Sequence, residues 1–222
     1  DTRPAATARA HRGFPDDVPV HHPALTEADL PAAVAILSAR DPGLATIAAR
    51  FGVPPLWARE PGFPTLVHLI LEQQVSLASA KAAFDRLVAA TDPLTPASLL
   101  RLDDAQLLAI GFSRQKARYS RALAESVATG ALDLDALPGL EDDEVDRRLT
   151  TVPGIGPWTA TIYRLMVLLR PDAWPVGDIA LAQAIAETRG LAGRPTPDEL
   201  RAIAEDWRPW RAVAARMLWH HY

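Results

Sequence analysis

The chain of 222 residues contains no cysteine. A disulfide framework, a thiolate nucleophile, a zinc site built on cysteine and a cysteine-ligated iron–sulfur cluster are therefore excluded. Histidine ligation of a metal is not indicated either, because the six histidines do not share one helical face at ligand spacing. They are His11, His21, His22, His68, His220 and His221.

The chain also lacks an apolar run long enough to span a membrane, since Arg, His or Glu interrupts the longest candidates. It has no signal-peptide pattern, so we expect a cytoplasmic protein that does not contact membranes. The net charge of −4 argues against a protein that coats nucleic acid nonspecifically. A local basic stretch remains, because residues 105–123 contain four cationic side chains and no acidic one. Such a stretch is also typical of a solvated helix face.

Strand signals are nearly absent, whereas helix signals recur along the chain. Residues 1–24 are rich in Ala, Pro, Arg and His without periodicity and predict a flexible tail. A long apolar helix from Thr65 is expected to break near residues 75–77. The predicted capping residues are Thr26 with Asp29, Thr95, Asp103 or Asp104, Ser113, Asp178, and Thr196 with Glu199; Pro209 is expected to begin the final helix. The fold class is therefore predicted to be all-α.

The most informative stretch is LTTVPGIGPWTA at residues 149–160, where Gly-Ile-Gly separates two predicted helices. Gly154 and Gly156 can take positive φ cheaply, and Pro157 suits the first position of the next helix. Free amide N–H groups at that helix N-terminus would suit one backbone phosphate. An ordinary glycine-closed helix connection fits the turn chemistry equally well.

Four segments in this order carry a resemblance to a known family. They are LEQQVSLASAK at 71–81, TTVPGIGPWTA at 150–160, WPVGDIALAQA at 174–184 and DWRPWRAVAARMLW at 206–219. Together they resemble the helix-hairpin-helix (HhH-GPD) DNA glycosylases, and within them the 3-methyladenine DNA glycosylase II branch, the AlkA and Mag type. The resemblance implies two helical lobes, one from residues 66–171 and the other from 25–65 plus 172–222, with the active-site cleft between them. Because few residues precede the shared helices, we expect a minimal two-lobed version without the β-rich N-terminal domain of some members.

The resemblance assigns the catalytic carboxylate to Asp178. Cleavage of an N-glycosidic bond builds positive charge on the sugar, which a fixed carboxylate stabilises. Asp178 also reads as a helix N-cap, and the two roles are compatible. Bifunctional relatives place a lysine where this chain has Trp158, so the implied enzyme is a monofunctional hydrolase without lyase activity. It would need no cofactor for its chemistry.

The implied enzyme flips a damaged nucleotide out of duplex DNA into a pocket. By resemblance Trp158 and Trp219 line this pocket, where an indole attracts a cationic alkylated base such as 3-methyladenine or 7-methylguanine. A single helical tryptophan is otherwise more often a core residue. Ile162 and Ile179 replace tyrosines of some members, which predicts a wider pocket and broader substrate acceptance. Gln74 matches the residue that fills the gap in the base stack, whereas Gln73 is expected to be structural.

The resemblance also implies contacts to the DNA backbone. Phosphate donors would be the N–H groups of Gly154 and Gly156, the hydroxyl of Thr159, and the basic helix that starts at Ser113 and carries Lys116. Main-chain carbonyls of Thr150, Val152 and Ile155 match those that bind a monovalent cation, Na⁺ or K⁺, in similar hairpins. We expect a monomer that acts on damaged double-stranded DNA. The alternative function is a noncatalytic DNA-binding module that keeps the hairpin without the chemistry.

Overall fold

The computed structural model describes residues 24–222. Apart from its last residue, the predicted tail lies outside this range. Within it the chain is helical without strands, which confirms the all-α prediction. The α-helices are α1 (Leu30–Arg40), α2 (Pro42–Phe51), α3 (Phe63–Glu72), α4 (Leu77–Thr91), α5 (Pro96–Leu100), α6 (Asp104–Ile110), α7 (Arg114–Ala128), α8 (Asp142–Thr150), α9 (Pro157–Met166), α10 (Ile179–Arg189), α11 (Pro197–Glu205) and α12 (Arg211–His221). None of the helices between residues 24 and 222 combines the length and apolar character that crossing a bilayer requires.

Local capping chemistry sets most of the helix starts. The side chains of Thr95, Asp103, Ser113 and Thr196 each accept a hydrogen bond from a backbone N–H in the first turn of the following helix, as predicted. The long apolar helix expected from Thr65 does break, between the end of α3 and the start of α4. The final helix begins at Arg211, two residues later than Pro209, because residues up to Trp210 form a turn that follows α11.

The apolar side chains form two cores. The first lobe, defined by the first core, is built mainly on α3–α9 and contains fully buried residues such as Leu69 and Leu107. The second lobe, defined by the second core, combines α1 and α2 with α10–α12 and contains Leu37 and Leu181. Trp219 packs against both cores, so the end of α12 lies at the junction of the two lobes.

A buried arginine ties three chain segments together. Arg216 of α12 is fully buried, and its Nε donates to the carbonyl of Leu56 at 2.7 Å. Its two terminal nitrogens donate to the carbonyls of Ala212 at 3.0 Å and Leu165 at 2.8 Å. Burial lowers the pKa of Arg216 to about 10. Because Leu165 lies in α9 and Leu56 in the segment before α3, this one guanidinium fixes three chain segments.

Candidate active site

The Gly-Ile-Gly hairpin joins α8 to α9, and its two glycines have different roles. Gly154 has φ +93°, and a Cβ added there would lie 2.1 Å from Cγ of Tyr119. Gly156 is the N-cap of α9 with φ −92°, so it does not use the positive φ that glycine allows. An N-cap residue takes an extended conformation that does not require glycine. A Cβ at Gly156 would meet no atom within 4 Å, so this side of the hairpin is open.

The open side of the hairpin presents unused backbone donors. Within residues 24–222, the N–H groups of Gly154 and Gly156 have no acceptor, whereas the Ile155 N–H donates to the Val152 carbonyl at 3.0 Å. Both free groups lie at or just before the N-terminus of α9, where the helix dipole favours negative charge. This arrangement suits an anion such as a phosphate.

Thr159 does not belong to that anion site, so the prediction that its hydroxyl binds phosphate is wrong. Its side chain is only 2% exposed, and its Oγ1 accepts a hydrogen bond from Nε2 of Gln73 at 3.1 Å. The same nitrogen donates to the carbonyl of Gly154 at 2.9 Å. The apolar residues on several sides of α9 are a sequence signal that could have predicted the burial of Thr159.

The Asp178 carboxylate lies where the two lobes meet and accepts three N–H groups. It is the N-cap of α10, and its Oδ1 accepts from the Leu181 N–H at 3.0 Å. Nε1 of Trp158, in α9, donates to Oδ2 at 3.1 Å. Nε1 of Trp219, in α12, donates to Oδ1 at 3.4 Å. With 8% of its surface exposed, Asp178 is a buried carboxylate whose two oxygens are held by charge-assisted hydrogen bonds.

The structure therefore brings Asp178, Trp158 and Trp219 together, although the sequence did not indicate that both indoles donate to the carboxylate. The two isoleucines are placed differently. Ile179 follows Asp178 at the start of α10 and is 65% exposed. Ile162 is 3% exposed and packs in the first core, so its predicted role as a pocket wall is corrected to that of a core residue.

The loop between α3 and α4 carries the predicted stack-filling residue. Gln74 is exposed and has φ +58°, a left-handed conformation that side chains other than glycine adopt at a cost. Two apolar neighbours, Val75 and Leu77, are also exposed, Leu77 to 68%. We name residues 73–76 the wedge loop. Gln73 begins it, and its amide holds the loop against the hairpin.

The basic helix α7 was predicted to contact DNA phosphates, but Lys116 binds a carbonyl of the protein itself. The Ser113 hydroxyl caps α7 by accepting the backbone N–H of Lys116 at 3.2 Å. The Lys116 ammonium donates to the carbonyl of Leu71 at 2.6 Å, and partial burial lowers the pKa of this lysine. Lys116 thus caps the end of α3 beside the wedge loop instead of projecting into solvent. The exposed cations of this helix are Arg114 and Arg118.

A cavity of about 640 Å³ in the described residues is not lined by Asp178; its walls are ion-paired side chains that include Arg164, Asp172 and Arg211. No cluster of three or more His, Asp or Glu side chains in residues 24–222 could hold a metal ion. The candidate site therefore consists of a carboxylate, two indoles and a hairpin with free amide groups.

Sequence comparison places the chain among DNA repair proteins. The model of the HhH-GPD superfamily of base excision DNA repair proteins matches residues 67–209. The putative DNA-3-methyladenine glycosylase YfjP of Bacillus subtilis is 30% identical over 162 residues, which cover 69% of this chain and 56% of YfjP. A second Bacillus subtilis protein, a DNA-3-methyladenine glycosylase, is 31% identical over 121 residues, which cover 54% of this chain and 40% of that protein. The chain thus spans about half the length of these curated relatives.

Solved structures agree with this placement. The 3-methyladenine DNA glycosylase Mag1 of Schizosaccharomyces pombe, in complex with abasic DNA, superposes with a TM-score of 0.80 at 26% identity. The alignment covers 85% of this chain and 95% of Mag1. A DNA-3-methyladenine glycosidase of Bacillus halodurans gives a TM-score of 0.71 at 32% identity, covering 84% of this chain and 87% of that one. Since the family match extends over more than half of its residues, the chain belongs to the HhH-GPD superfamily of base excision DNA repair proteins.

Proposed function

We propose that this chain is a monofunctional DNA glycosylase that hydrolyses the N-glycosidic bond of alkylated bases in duplex DNA. The observation that carries the proposal is the Asp178 carboxylate, which the indoles of Trp158 and Trp219 hold beside the open hairpin. The names of the relatives, DNA-3-methyladenine glycosylases, point to the same substrate class. One chain supplies every group named, so we propose that it works as a monomer.

DNA binding would begin at the hairpin. The free N–H groups of Gly154 and Gly156 would hold one backbone phosphate, and Arg114 and Arg118 lie on the neighbouring helix to attract others. The carbonyls of Thr150, Val152 and Ile155 could hold a monovalent cation there, since the Val152 carbonyl accepts only one hydrogen bond and keeps a lone pair. No step of the chemistry depends on this cation.

The next step would expose the target base. A base within the stack cannot reach Asp178, so the nucleotide must rotate out of the duplex. Gln74, held in a left-handed conformation on the wedge loop, would fill the gap and offer its amide to the unpaired partner base. The flipped base would enter the cleft beside Trp158 and Trp219, where the indoles favour a cationic alkylated ring over a neutral one. Exposed Ile179 leaves the cleft wide, which favours several methylated bases over one.

The chemical step needs only a well-placed carboxylate and water. The C1′–N bond breaks with its electron pair leaving on the base, which neutralises the positive charge of the alkylated ring. Positive charge develops on the sugar, where Asp178 stabilises it. Water then attacks C1′ and loses a proton to solvent. Trp158 occupies the position of the lysine that forms a Schiff base in bifunctional members, so no strand cleavage follows.

Base release from methylated duplex DNA tests this proposal. We expect Asp178→Asn to lower the single-turnover release rate by ~100-fold or more. Asn can still cap α10, but its NH2 group would face an N–H donor at one of the two oxygen positions, so thermal melting must confirm that the variant is folded. The matched control is Asp206→Asn, which alters an exposed carboxylate at the end of α11. Equal release by wild type and Asp178→Asn would refute the catalytic assignment. DNA binding without release by the wild type would favour a noncatalytic binding module, and a borohydride-trapped complex would refute the monofunctional assignment.

A further inference from the structure

Gln73 connects two elements that the proposed mechanism uses separately. Its Nε2 donates to the carbonyl of Gly154 at 2.9 Å and to Oγ1 of Thr159 at 3.1 Å. One amide nitrogen carries two hydrogens, so both bonds can form together. Gln73 also ends α3 and directly precedes Gln74. The residue therefore lies between the wedge loop and the hairpin and touches both.

We infer that Gln73 is a positioning residue that sets the wedge loop in register with the phosphate-binding hairpin. The inference rests on the proposed function. The Gly154 N–H is one of the free donors for a phosphate, while the carbonyl of the same residue accepts the Gln73 amide. The phosphate anchor and the tether of the wedge loop thus meet at a single residue. Gln74 consequently enters the stack at a fixed distance from the phosphate that the hairpin holds.

The wedge loop needs such a tether because little else holds it. Residues 74–79 are exposed, and Gln74 has a left-handed backbone that relaxation of the loop would relieve. Upstream, the Lys116 ammonium fixes the end of α3 through the Leu71 carbonyl. Downstream, Ser76 starts α4 by accepting the Ser79 N–H. Between these two points, the hydrogen bonds of the Gln73 side chain hold the loop to the hairpin.

The inference predicts that loss of the tether uncouples base flipping from DNA binding. Gln73→Met keeps the length of the side chain and removes both donor hydrogens. The hairpin amides remain, so affinity for undamaged duplex should change by less than about threefold. The stacking of Gln74 into the duplex should become less probable, which lowers the single-turnover release rate by ~10-fold or more, the equivalent of ~1.4 kcal/mol in the barrier. A purely structural role would instead lower melting temperature and DNA affinity together.

Three further variants complete the set. Thr159→Val removes one acceptor of the Gln73 amide and should give part of the effect, whereas Thr159→Ser keeps the hydroxyl and should restore wild-type rates. Gln183→Met is the matched control, because it removes the amide of a half-buried glutamine of α10 that donates to Glu187 and contacts neither the hairpin nor the wedge loop. This control should leave both rate and affinity unchanged.

The readouts are the single-turnover release rate, the affinity for undamaged duplex, the melting temperature, and the fluorescence of 2-aminopurine placed opposite the lesion. Wild type should raise this fluorescence on binding, and Gln73→Met should not. Wild-type fluorescence and release rate in Gln73→Met would overturn the inference while leaving the proposed function intact. A parallel loss of affinity and folding would also overturn it. A wild type that releases no base, but disturbs the stack only when Gln73 is present, would refute the proposed function and support the inference.

Discussion

Alanine at the two hairpin glycines should have opposite consequences, one for folding and one for DNA binding. At Gly154 the added Cβ would lie 2.1 Å from Cγ, 2.4 Å from Cδ2 and 2.5 Å from Cβ of Tyr119. These atoms lie at the start of the Tyr119 side chain, close to its backbone, so a rotation of the side chain cannot move them away cheaply. At Gly156 the added Cβ would meet nothing within 4 Å. The two substitutions are therefore chemically identical and sterically opposite.

The expected destabilisation of Gly154→Ala follows from two costs. A left-handed conformation costs alanine ~1–2 kcal/mol, and overpacking against Tyr119 adds ~1–3 kcal/mol. The sum of about 2–5 kcal/mol would lower the melting temperature by roughly 5–20 °C for a chain of this size. At Gly156 the φ angle is ordinary, so alanine is not strained there. Alanine is a poorer N-cap than glycine, which destabilises the fold, but it also lowers the entropy of the unfolded chain, which stabilises the fold. The free energy of unfolding of Gly156→Ala should therefore change by no more than ~1 kcal/mol.

DNA affinity should reverse this order among folded variants. The Cβ at Gly156 would stand in the space through which a phosphate approaches the hairpin N–H groups. Loss of one hydrogen bond to a charged group is worth ~1.5–3 kcal/mol, which is about a 10- to 100-fold weaker Kd. Fluorescence anisotropy with duplex DNA at one fixed salt concentration measures this loss, and thermal melting confirms that the variant is folded.

Two results would refute the reasoning. Wild-type affinity in Gly156→Ala would show that the hairpin amides do not hold a phosphate. Wild-type stability in Gly154→Ala would show that Tyr119 does not pack as described. A double-mutant cycle sharpens the second test, because Tyr119→Ala in the Gly154→Ala background should recover the overpacking part of the loss and leave the backbone part.

Three further predictions concern the carboxylate, the buried arginine and pH. Trp158→Phe removes one donor to Asp178 and should slow single-turnover base release by ~10-fold or more, since a hydrogen bond to a charged group is worth ~1.5–3 kcal/mol; a wild-type rate would contradict this. Arg216→Met leaves buried carbonyls without donors and should lower the free energy of unfolding by about 2–5 kcal/mol in urea, whereas a loss below ~1 kcal/mol would count against the role of Arg216 in joining three chain segments. Burial lowers the pKa of His68, although nearby Glu72 opposes this shift. The unfolded chain therefore binds more protons than the folded chain below pH 6.5, so wild-type stability should decrease as the pH is lowered there, by up to ~1.4 kcal/mol per pH unit. His68→Phe should reduce this slope in urea titrations from pH 7.5 to 5, and an unchanged slope would refute the assignment.

The helices could be predicted well because their boundaries rest on local chemistry. Thr95, Asp103, Ser113 and Thr196 satisfy N–H groups within three residues of themselves, and no tertiary information is needed to recognise them. The start of the last helix was harder to predict. The expected start at Pro209 follows from local preference, whereas the turn through Trp210 depends on how the end of α11 packs.

Individual residues of the site could be predicted from the sequence, but the contacts between them could not. Asp178 could be found because its motif and its capping position are both local. The indole hydrogen bonds could not, since they require three distant helices to bring the indoles of Trp158 and Trp219 to 3.1 and 3.4 Å from the Asp178 carboxylate. Lys116 was expected to contact phosphate because it lies on the basic helix that starts at Ser113. Its actual partner, the Leu71 carbonyl, lies on another helix and leaves no trace in the sequence around the lysine.

The origin of the three donors on Asp178 bears on how damaged DNA is recognised. The Leu181 N–H belongs to the same helix end, the Trp158 indole comes from the first lobe, and the Trp219 indole comes from the lobe junction. The carboxylate is already oriented without DNA, so it need not reorganise when a sugar becomes positively charged nearby. A normal and a damaged nucleotide would meet the same carboxylate. Under the proposed function, selection must then depend on the charge of the base, to which the indoles of Trp158 and Trp219 respond, and on the flipping step, which involves the wedge loop and Gln73, the residue that tethers it.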